Sequence, residues 1–276
     1  MTARRVCPLA TVLIASLIVA GPAAQTTDEV AERMRQSDRK HRQTLFDLLQ
    51  PVVLSNCDLV RLGEPNDGGY LMCGNLLDRV EAGYSYGIAN YDQWGCDIAT
   101  RLGVPLHQYD CFDTRRPVCR TAKTTFHAEC VADVRKDEDG RVFDSMANHF
   151  ARNGDGAKRL VVKMDVEGAE WDSLLHTSDE TLERIDQLAI ELHFMNEPKH
   201  IEVVKRLKQF FHIVHLHFNN HACAEGIEPF PAWAYEVLFV NKRIGVVDES
   251  KRWSGPHRLS APANSRRADC QSVRSP

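Results

Sequence analysis

Short apolar runs alternate along most of the chain with polar stretches that carry apolar residues at helical spacing. The runs predict strands, and the stretches between them predict helices. Predicted strands cover residues 83–88, 105–110, 125–131, 160–165, 187–193, 213–218 and 235–241, and predicted helices cover 94–102, 143–152 and 200–211. Because helices between parallel strands form right-handed crossovers, the pattern predicts an α/β fold. We expect a Rossmann-like, doubly wound, mostly parallel sheet of about seven strands, with an antiparallel hairpin at one edge.

The flanking regions predict further segments. Residues 27–49 are mainly polar and most simply predict one helix that ends before Pro51. Residues 57–73 predict two short strands around the turn at 66–69. After Ile244 the pattern stops, so the polar and basic residues 245–276 predict a disordered tail. The predicted units are therefore 1–24, a helical segment at 25–56, a main domain at 57–244, and the tail.

The first 24 residues have the order of a secretory signal peptide. Arg4 and Arg5 precede an apolar stretch at 6–20, and the small residues Gly21 to Ala24 follow it. An uncleaved anchor fits the same pattern, and we expect a membrane association only in that case. Either interpretation predicts an exported protein, secreted or anchored with its body on the extracytoplasmic side.

Cysteine usage agrees with export. Eight cysteines remain beyond the leader: Cys57, Cys73, Cys96, Cys111, Cys119, Cys130, Cys223 and Cys270. An even number in an exported chain favours disulfides, and two of the three cysteines between 111 and 130 are close enough in sequence to pair. The sequence does not predict the connectivity. It contains no CxxC pair, so a zinc ribbon is not expected.

Charge limits the choice of partner. The chain of 276 residues has a formal net charge of -4. Without residues 1–24 the charge is -6, because Arg4 and Arg5 are removed and no acid is. An acidic protein has no general electrostatic attraction to nucleic acid, so we expect no nucleic-acid partner.

The most informative segment is the run LVVKMDVEGAEW at residues 160–171. Its apolar part predicts a strand buried on both faces, with Asp165 at the carboxyl end. Asp165 and Glu167 lie two residues apart, so in extended backbone they project from one side, and Gly168 permits a turn beyond them. Open α/β sheets bind ligands at this edge.

Two other predicted strand ends carry candidate binding residues. Gly87 ends the first central strand, where backbone should approach a ligand closely, but the GxGxxG pattern of dinucleotide dehydrogenases is absent. The next strand ends in HQYDCFD, which places Asp110 or Asp113 where an acid would accept hydrogen bonds from ribose hydroxyls.

Taken in order, these motifs resemble the methyltransferase-like proteins related to the FkbM O-methyltransferases. The resemblance rests on YSYGI, WGCDIA, QYD, KMDVEGAEW, ELHF and AYEVLFVNK, and spans residues 57–242. The KxDxEGAEW string is its most specific part. The resemblance implies a class I methyltransferase-like fold with S-adenosylmethionine bound across the carboxyl ends of the first strands.

The resemblance also implies residue roles. Gly87 would belong to the cofactor turn, Asp110 would bind ribose, and Asp133 would approach adenine. Asp165 and Glu167 would lie near the methyl group and the acceptor. The family usually has a glutamate directly after the aromatic residue of its first helix, whereas Trp94 is followed here by Gly95.

Methyl transfer to a hydroxyl requires alignment and a positioned base, which contributes roughly 10²- to 10⁴-fold. Asp165 and His193 are the candidate bases, since both lie at predicted strand ends. A metal is not required for this chemistry. A second group, with His215 and His217 on one strand face and His221 or Cys223 nearby, could complete a metal site, although an edge strand can also expose histidines without a ligand.

The sequence therefore predicts an S-adenosylmethionine-dependent O-methyltransferase acting on a small molecule or a glycan hydroxyl. Gly95 and the export signal favour an alternative, a non-catalytic binding protein with the same fold. A metal-dependent hydrolase that uses Asp165 and the histidine group is a third hypothesis.

Overall fold

The computed structural model of the protein describes residues 27–36 and 38–270. The predicted leader at 1–24 lies outside this range. None of the helices in the described part of the chain combines the length and the apolar character needed to cross a membrane.

Twelve strands and seven α-helices occur in the described residues. The strands are β1 (Leu59–Gly63), β2 (Gly69–Cys73), β3 (Ala82–Tyr86), β4 (Leu106–Tyr109), β5 (Thr124–His127), β6 (Glu129–Val131), β7 (Lys136–Glu138), β8 (Arg141–Asp144), β9 (Leu160–Met164), β10 (Ile185–His193), β11 (Phe211–Phe218) and β12 (Ala234–Asn241). The helices are α1 (Thr27–Arg35), α2 (Arg39–Leu48), α3 (Gln93–Leu102), α4 (Met146–Arg152), α5 (Glu170–His176), α6 (Asp179–Arg184) and α7 (Pro198–Phe210).

A seven-stranded sheet forms the centre of the molecule, in the order β11-β12-β10-β9-β3-β4-β5. The five strands β10, β9, β3, β4 and β5 are parallel to one another, whereas β12 is antiparallel to both β10 and β11. This confirms the predicted α/β architecture, with a mostly parallel sheet of seven strands and an antiparallel pair at one edge.

The sheet is covered on both faces. On β9, Leu160, Val162 and Met164 join the larger core beside α4 to α7, while Val161 joins a second core beneath α3 and the β1-β2 hairpin. All five residues of β9 are buried, as expected for a central parallel strand. The carboxyl ends of β3, β4 and β9 therefore meet at one edge of the sheet.

Several local predictions need correction. The predicted helix at 27–49 is two helices, and the second begins at an N-cap in which Asp38 accepts from the N–H of Lys40. The predicted third strand divides into β5 of the main sheet and β6 of a separate sheet, ordered β6-β8-β7. The start of the predicted helix at 143–152 belongs to strand β8. Helices α5 and α6 were not predicted.

The prediction of a disordered tail is wrong for residues 245–270. Val247 forms a bridge with Leu54, and Ala263 is buried. The amide of Asn220 donates to three carbonyls of the segment, including that of Asn264. Long-range contacts therefore order a segment that has no local periodicity.

Eight cysteines form four disulfides: Cys57–Cys73, Cys96–Cys119, Cys111–Cys130 and Cys223–Cys270. The prediction that two of the cysteines between 111 and 130 pair is confirmed. Four disulfides are consistent with an oxidising, extracytoplasmic environment.

Candidate functional site

A cavity of about 540 Å³ opens at the carboxyl ends of β3, β4 and β9. Its volume is in the range of small-molecule sites, roughly 300–1,000 Å³. Its lining comes from the β1-β2 turn and from the segments after β3, β4 and β9. These segments supply Asp67, Gly87, Ala89, Asp110, Phe112, Asp113, Asp165, Val166, Glu167 and Ala169. Sequence reasoning placed ligand binding at this edge, and the structure has a cavity there.

Every charged residue that lines this cavity is acidic: Asp67, Asp110, Asp113, Asp165 and Glu167. Lysine and arginine do not occur in its lining. Such a site favours a ligand with positive charge and disfavours a phosphate group.

Gly87 brings two strand ends into contact at the cavity. Its φ is +70°, and a Cβ atom built on it would lie 1.6 Å from the carbonyl oxygen of Asp165. The carbonyls of Gly87 and Tyr86 accept hydrogen bonds from Lys163 Nζ, at 2.6 Å and 3.3 Å. Only glycine has the conformation and the space needed here.

Asp110 fixes the loops on either side of the cavity. One carboxylate oxygen accepts from the N–H groups of Ile88 and Ala89, and the other from those of Phe112 and Asp113. A carboxylate has about four acceptor positions. These four bonds come from backbone N–H groups and use the acceptors that the predicted ribose contact requires.

Asp113 is more accessible than Asp110. It also accepts four hydrogen bonds, but two of them come from the guanidinium of Arg115, whose side chain is 75% exposed. Because exposed ion pairs contribute little, ribose hydroxyls can replace these two bonds, and Asp113 is the better candidate. Its Oδ2 accepts from the amide of Asn90 at 2.7 Å. Its hydrogen bonds with Arg115 and Asn90 hold its pKa below the usual range. It therefore presents an anionic carboxylate to the cavity.

Asp133 does not line the cavity, so the structure does not bring it together with the other predicted site residues. The N–H of the preceding Ala132 donates to the carbonyl of Asp144, which leads the chain away into the small sheet. Phe112, Val131 and Phe143 line the cavity instead. Phe112 and Phe143 pack edge to face with their ring centroids 6.5 Å apart, and Phe112 is largely exposed. These apolar residues were missed because Phe112 lies in a loop after β4, while Val131 and Phe143 lie in the short strands β6 and β8, which have no continuous apolar run.

Asp165 lies directly after β9, as predicted, and its side chain is partly accessible. The hydroxyl of Tyr70 donates to its Oδ2 at 3.1 Å, and Lys163 Nζ lies 3.5 Å from the same oxygen. The hairpin β1-β2 therefore supplies a hydrogen-bond donor to the central motif.

Glu170 is a functional candidate that sequence reasoning missed. Its side chain has 0% exposure, and its two oxygens accept from the N–H groups of Val166 and Gly168, both at 2.8 Å. The oxygen that accepts from Val166 also lies 3.1 Å from Nδ1 of His193. Glu170 therefore holds the turn that carries Glu167 and orients His193.

Glu167 lies beside Asp165 at the same cavity. It lines the cavity and has a φ of +56°, which is uncommon for a residue other than glycine. Its side chain is largely exposed, and its Oε2 lies 3.5 Å from Nε2 of His193.

His193 is buried among carboxylates. Its Nε2 lies 3.5 Å from Glu167 and 3.6 Å from Glu191. Burial by itself would lower the pKa of His193, but the charge and hydrogen bond of Glu170, with Glu191 and Asp165, outweigh burial and raise the pKa to about 10. A histidine that is charged at neutral pH cannot accept a proton, so the predicted role of His193 as a base is not supported.

The raised pKa of His193 gives a pH-dependent stability. Its contribution is complete below the ordinary histidine pKa of about 6.5 and is lost as pH rises through about 10. We expect the difference in unfolding free energy between the wild type and His193→Gln to shrink from about pH 7 to about pH 10. Urea unfolding at several pH values measures this difference. His176→Gln, at an exposed histidine, is the control, and a wild-type-minus-His193→Gln difference that stays constant would contradict the assignment.

Among residues 27–36 and 38–270, two groups of side chains bring possible metal ligands within 4.8 Å of one another: Asp165, Glu170 and His193, and Glu129, Asp144 and His149. In the first group, charged His193 already balances the carboxylates. In the second, the guanidinium groups of Arg135 and Arg152 contact Asp144. A cation in either group would have to displace a positive charge that is already there.

The histidine group near the sheet edge differs from the prediction. His215 and His217 share one face, but both are buried beneath the C-terminal segment. His217 lies between Glu236 and Asp269, and Cys223 is in a disulfide. Because Cys223 is in a disulfide, it cannot serve as a thiolate ligand, which weakens the hypothesis that this group binds a metal.

Gly95 is explained by packing. A Cβ atom at this position would lie 2.1 Å from a carboxylate oxygen of Asp92 and 2.5 Å from Leu106. Asp92 is the N-cap of α3 and accepts from the N–H of Gly95 at 2.8 Å. This arrangement leaves no room for a glutamate side chain.

No family model matches the chain, and no curated protein matches its sequence. The geometry and charge of the cavity therefore carry the functional argument.

Proposed function

We propose that the protein is an S-adenosylmethionine-dependent methyltransferase that acts on a hydroxyl group of a small molecule or a glycan. The lining of the cavity carries this proposal. S-adenosylmethionine has a sulfonium, an ammonium and a carboxylate group and no phosphate. Its net charge is therefore +1, which suits a site with five carboxylates and no basic residue. Nucleotides with phosphate groups suit it poorly.

The fold supports the proposal. The cavity lies at the carboxyl ends of parallel strands, where open α/β sheets bind ligands. The order of the seven strands, with antiparallel β12 inserted between β10 and β11, agrees with the class I methyltransferase-like sheet that the motif resemblance implies.

The positions of the lining residues indicate a role for each of them in binding the cofactor. The backbone at Gly87 would approach the cofactor closely, Asp113 would accept from ribose hydroxyls, and Phe112 with Val131 and Phe143 would contact adenine. The cofactor supplies an activated methyl group. The protein then has to align the acceptor and exclude water.

Asp165 is the better candidate for the base, because His193 is already charged. The carboxylate of Asp165 lines the cavity, and Tyr70 and Lys163 fix its position without closing it off. Glu167, at the same rim, would contact the acceptor or the cationic part of the cofactor.

Binding of S-adenosylmethionine tests the proposal. We expect saturable binding in a calorimetric titration and no measurable binding of ADP, because its phosphates would meet the acidic lining. Asp113→Asn should weaken binding of S-adenosylmethionine about tenfold, since hydrogen bonds to a charged group contribute about 1.5–3 kcal/mol. The control is Asp137→Asn, at an exposed acid on β7. A wild-type protein that shows no saturable binding would overturn the proposal.

A non-catalytic binding protein with the same fold is the second candidate. Gly95 favours it, because the acid usual at this position is absent and packing leaves no room for one. Saturable binding of the cofactor without methyl transfer to any member of a hydroxyl library would favour this candidate over the enzyme.

A further inference from the structure

A second cavity, of about 580 Å³, lies beneath the loop at residues 248–260. Both ends of this loop are fixed to the body of the protein. At one end the N–H of Asp248 donates to the carbonyl of Val53 at 2.8 Å. At the other end Ser260 Oγ lies 2.7 Å from Nε2 of buried His215. The cavity is therefore a fixed feature between the C-terminal segment and the segment at residues 52–59.

The charge of this cavity is opposite to that of the first one. Lys251, Arg252 and Arg258 line it, and no acidic residue does. Lys251 lies 3.2 Å from Asp248. By contrast, the exposed guanidinium groups of Arg252 and Arg258 have no ion pair or hydrogen bond to any residue in the described ranges 27–36 and 38–270. Two uncompensated cations at one cavity, in a protein with a net negative charge, indicate an anionic ligand.

The remaining lining narrows the class of ligand. Trp253 stands between the two basic positions in sequence, and the apolar side chains of Val52 and Leu54 lie in the same cavity. Guanidinium groups bind carboxylate and sulfate oxygens in a planar, bidentate geometry. An indole provides an apolar face for a sugar ring. The disulfides are consistent with an extracytoplasmic environment, which favours an acidic glycan over a nucleic acid.

We propose that this cavity binds an acidic saccharide, with its carboxylate or sulfate groups on Arg252 and Arg258 and a sugar ring against Trp253. This site is separate from the acidic cavity and does not depend on methyl transfer. It gives the protein a means of attachment to an acidic polysaccharide, whatever reaction takes place at the other cavity.

Titration of the full chain with two probes tests this proposal: a sulfated heparin tetrasaccharide and a galacturonate tetrasaccharide that carries only carboxylates. We expect saturable binding of at least one of them, and the comparison identifies the preferred anion. The double variant Arg252→Ala/Arg258→Ala should bind at least about tenfold more weakly, because both bidentate contacts are lost. Trp253→Leu should also weaken binding, and the tryptophan fluorescence change on binding should fall in that variant.

The matched control is Arg266→Ala/Arg267→Ala. It removes the same charge from the same segment, at two exposed residues that do not line the cavity. We expect the affinity of this control to stay within about twofold of the wild type, since exposed charges outside a site are screened by salt. All four arginines are exposed, and near-ultraviolet circular dichroism checks that each variant is folded.

Three results would overturn the proposal: no saturable binding of either saccharide by the wild type, an equal loss of affinity in the two double variants, or tighter binding of phosphatidylserine vesicles or of single-stranded DNA than of either saccharide. The second result would indicate a general charge effect. The third would indicate a lipid or nucleic-acid ligand.

Discussion

Replacing Glu170 by Ala should lower the free energy of unfolding by about 3–5 kcal/mol, because it leaves a buried charge without its partner. Glu170 is fully buried and holds charged His193 together with the N–H groups of Val166 and Gly168. Alanine removes the counter-ion and all three hydrogen-bond acceptor contacts at once. Urea unfolding at neutral pH measures the loss.

Asp172→Ala is the matched control, since Asp172 lies on the same helix and forms an exposed ion pair with Lys199 at 2.9 Å. Loss of this ion pair should lower the free energy of unfolding by less than about 1 kcal/mol. In a double-mutant cycle, Glu170→Ala and His193→Gln should be strongly coupled, because each variant removes the same pair. If Glu170→Ala costs no more than Asp172→Ala, the buried pair does not organise the site.

Glu170 shows which features of the site can be predicted from the sequence and which cannot. The strand end, Asp165 and Glu167 could be predicted, because a long apolar run ending in acids is a local signal. The role of Glu170 depends on His193, which lies 23 residues further along the chain. The signal in the sequence was a third acid in the same motif, but its burial is a property of the assembled fold.

His193 illustrates the same limit. Its position at a strand end was predicted, and the structure confirms it. Its charge was not predicted, because this charge results from carboxylates on three different segments. A sequence alone does not tell how strongly Glu170, Glu191 and Asp165 compete with burial for the pKa of one imidazole.

Strands were predicted correctly from the sequence where their residues are buried. Central strands such as β9 and β10 were predicted because they are buried on both faces and contain the short apolar runs Leu160–Val162 and Leu188–Ile190. Strand β7 was missed because all three of its residues are exposed. The C-terminal segment was misjudged because its order comes from contacts distant in sequence, including the disulfide Cys223–Cys270.

The second large effect concerns Gly87. Gly87→Ala should lower the free energy of unfolding by about 2–5 kcal/mol, from about 1–2 kcal/mol for a left-handed backbone and about 1–3 kcal/mol for overpacking. The added methyl group would lie 1.6 Å from the carbonyl oxygen of Asp165, so β3 and β9 would have to separate at the cavity. Binding of S-adenosylmethionine should fall with stability, since both strand ends line the site.

Gly103→Ala isolates the close approach from the backbone conformation. Gly103 ends α3 with a φ of +66°, and a Cβ atom there would have no heavy atom within 4 Å. Gly103→Ala should lower the free energy of unfolding only by the contribution of the left-handed backbone, about 1–2 kcal/mol, and should leave cofactor binding unchanged. Urea unfolding and calorimetric titration of both variants give the comparison. Equal losses of stability in the two variants would mean that the contact between Gly87 and Asp165 is not tight. The close approach of the two strand ends would then not require a glycine at position 87.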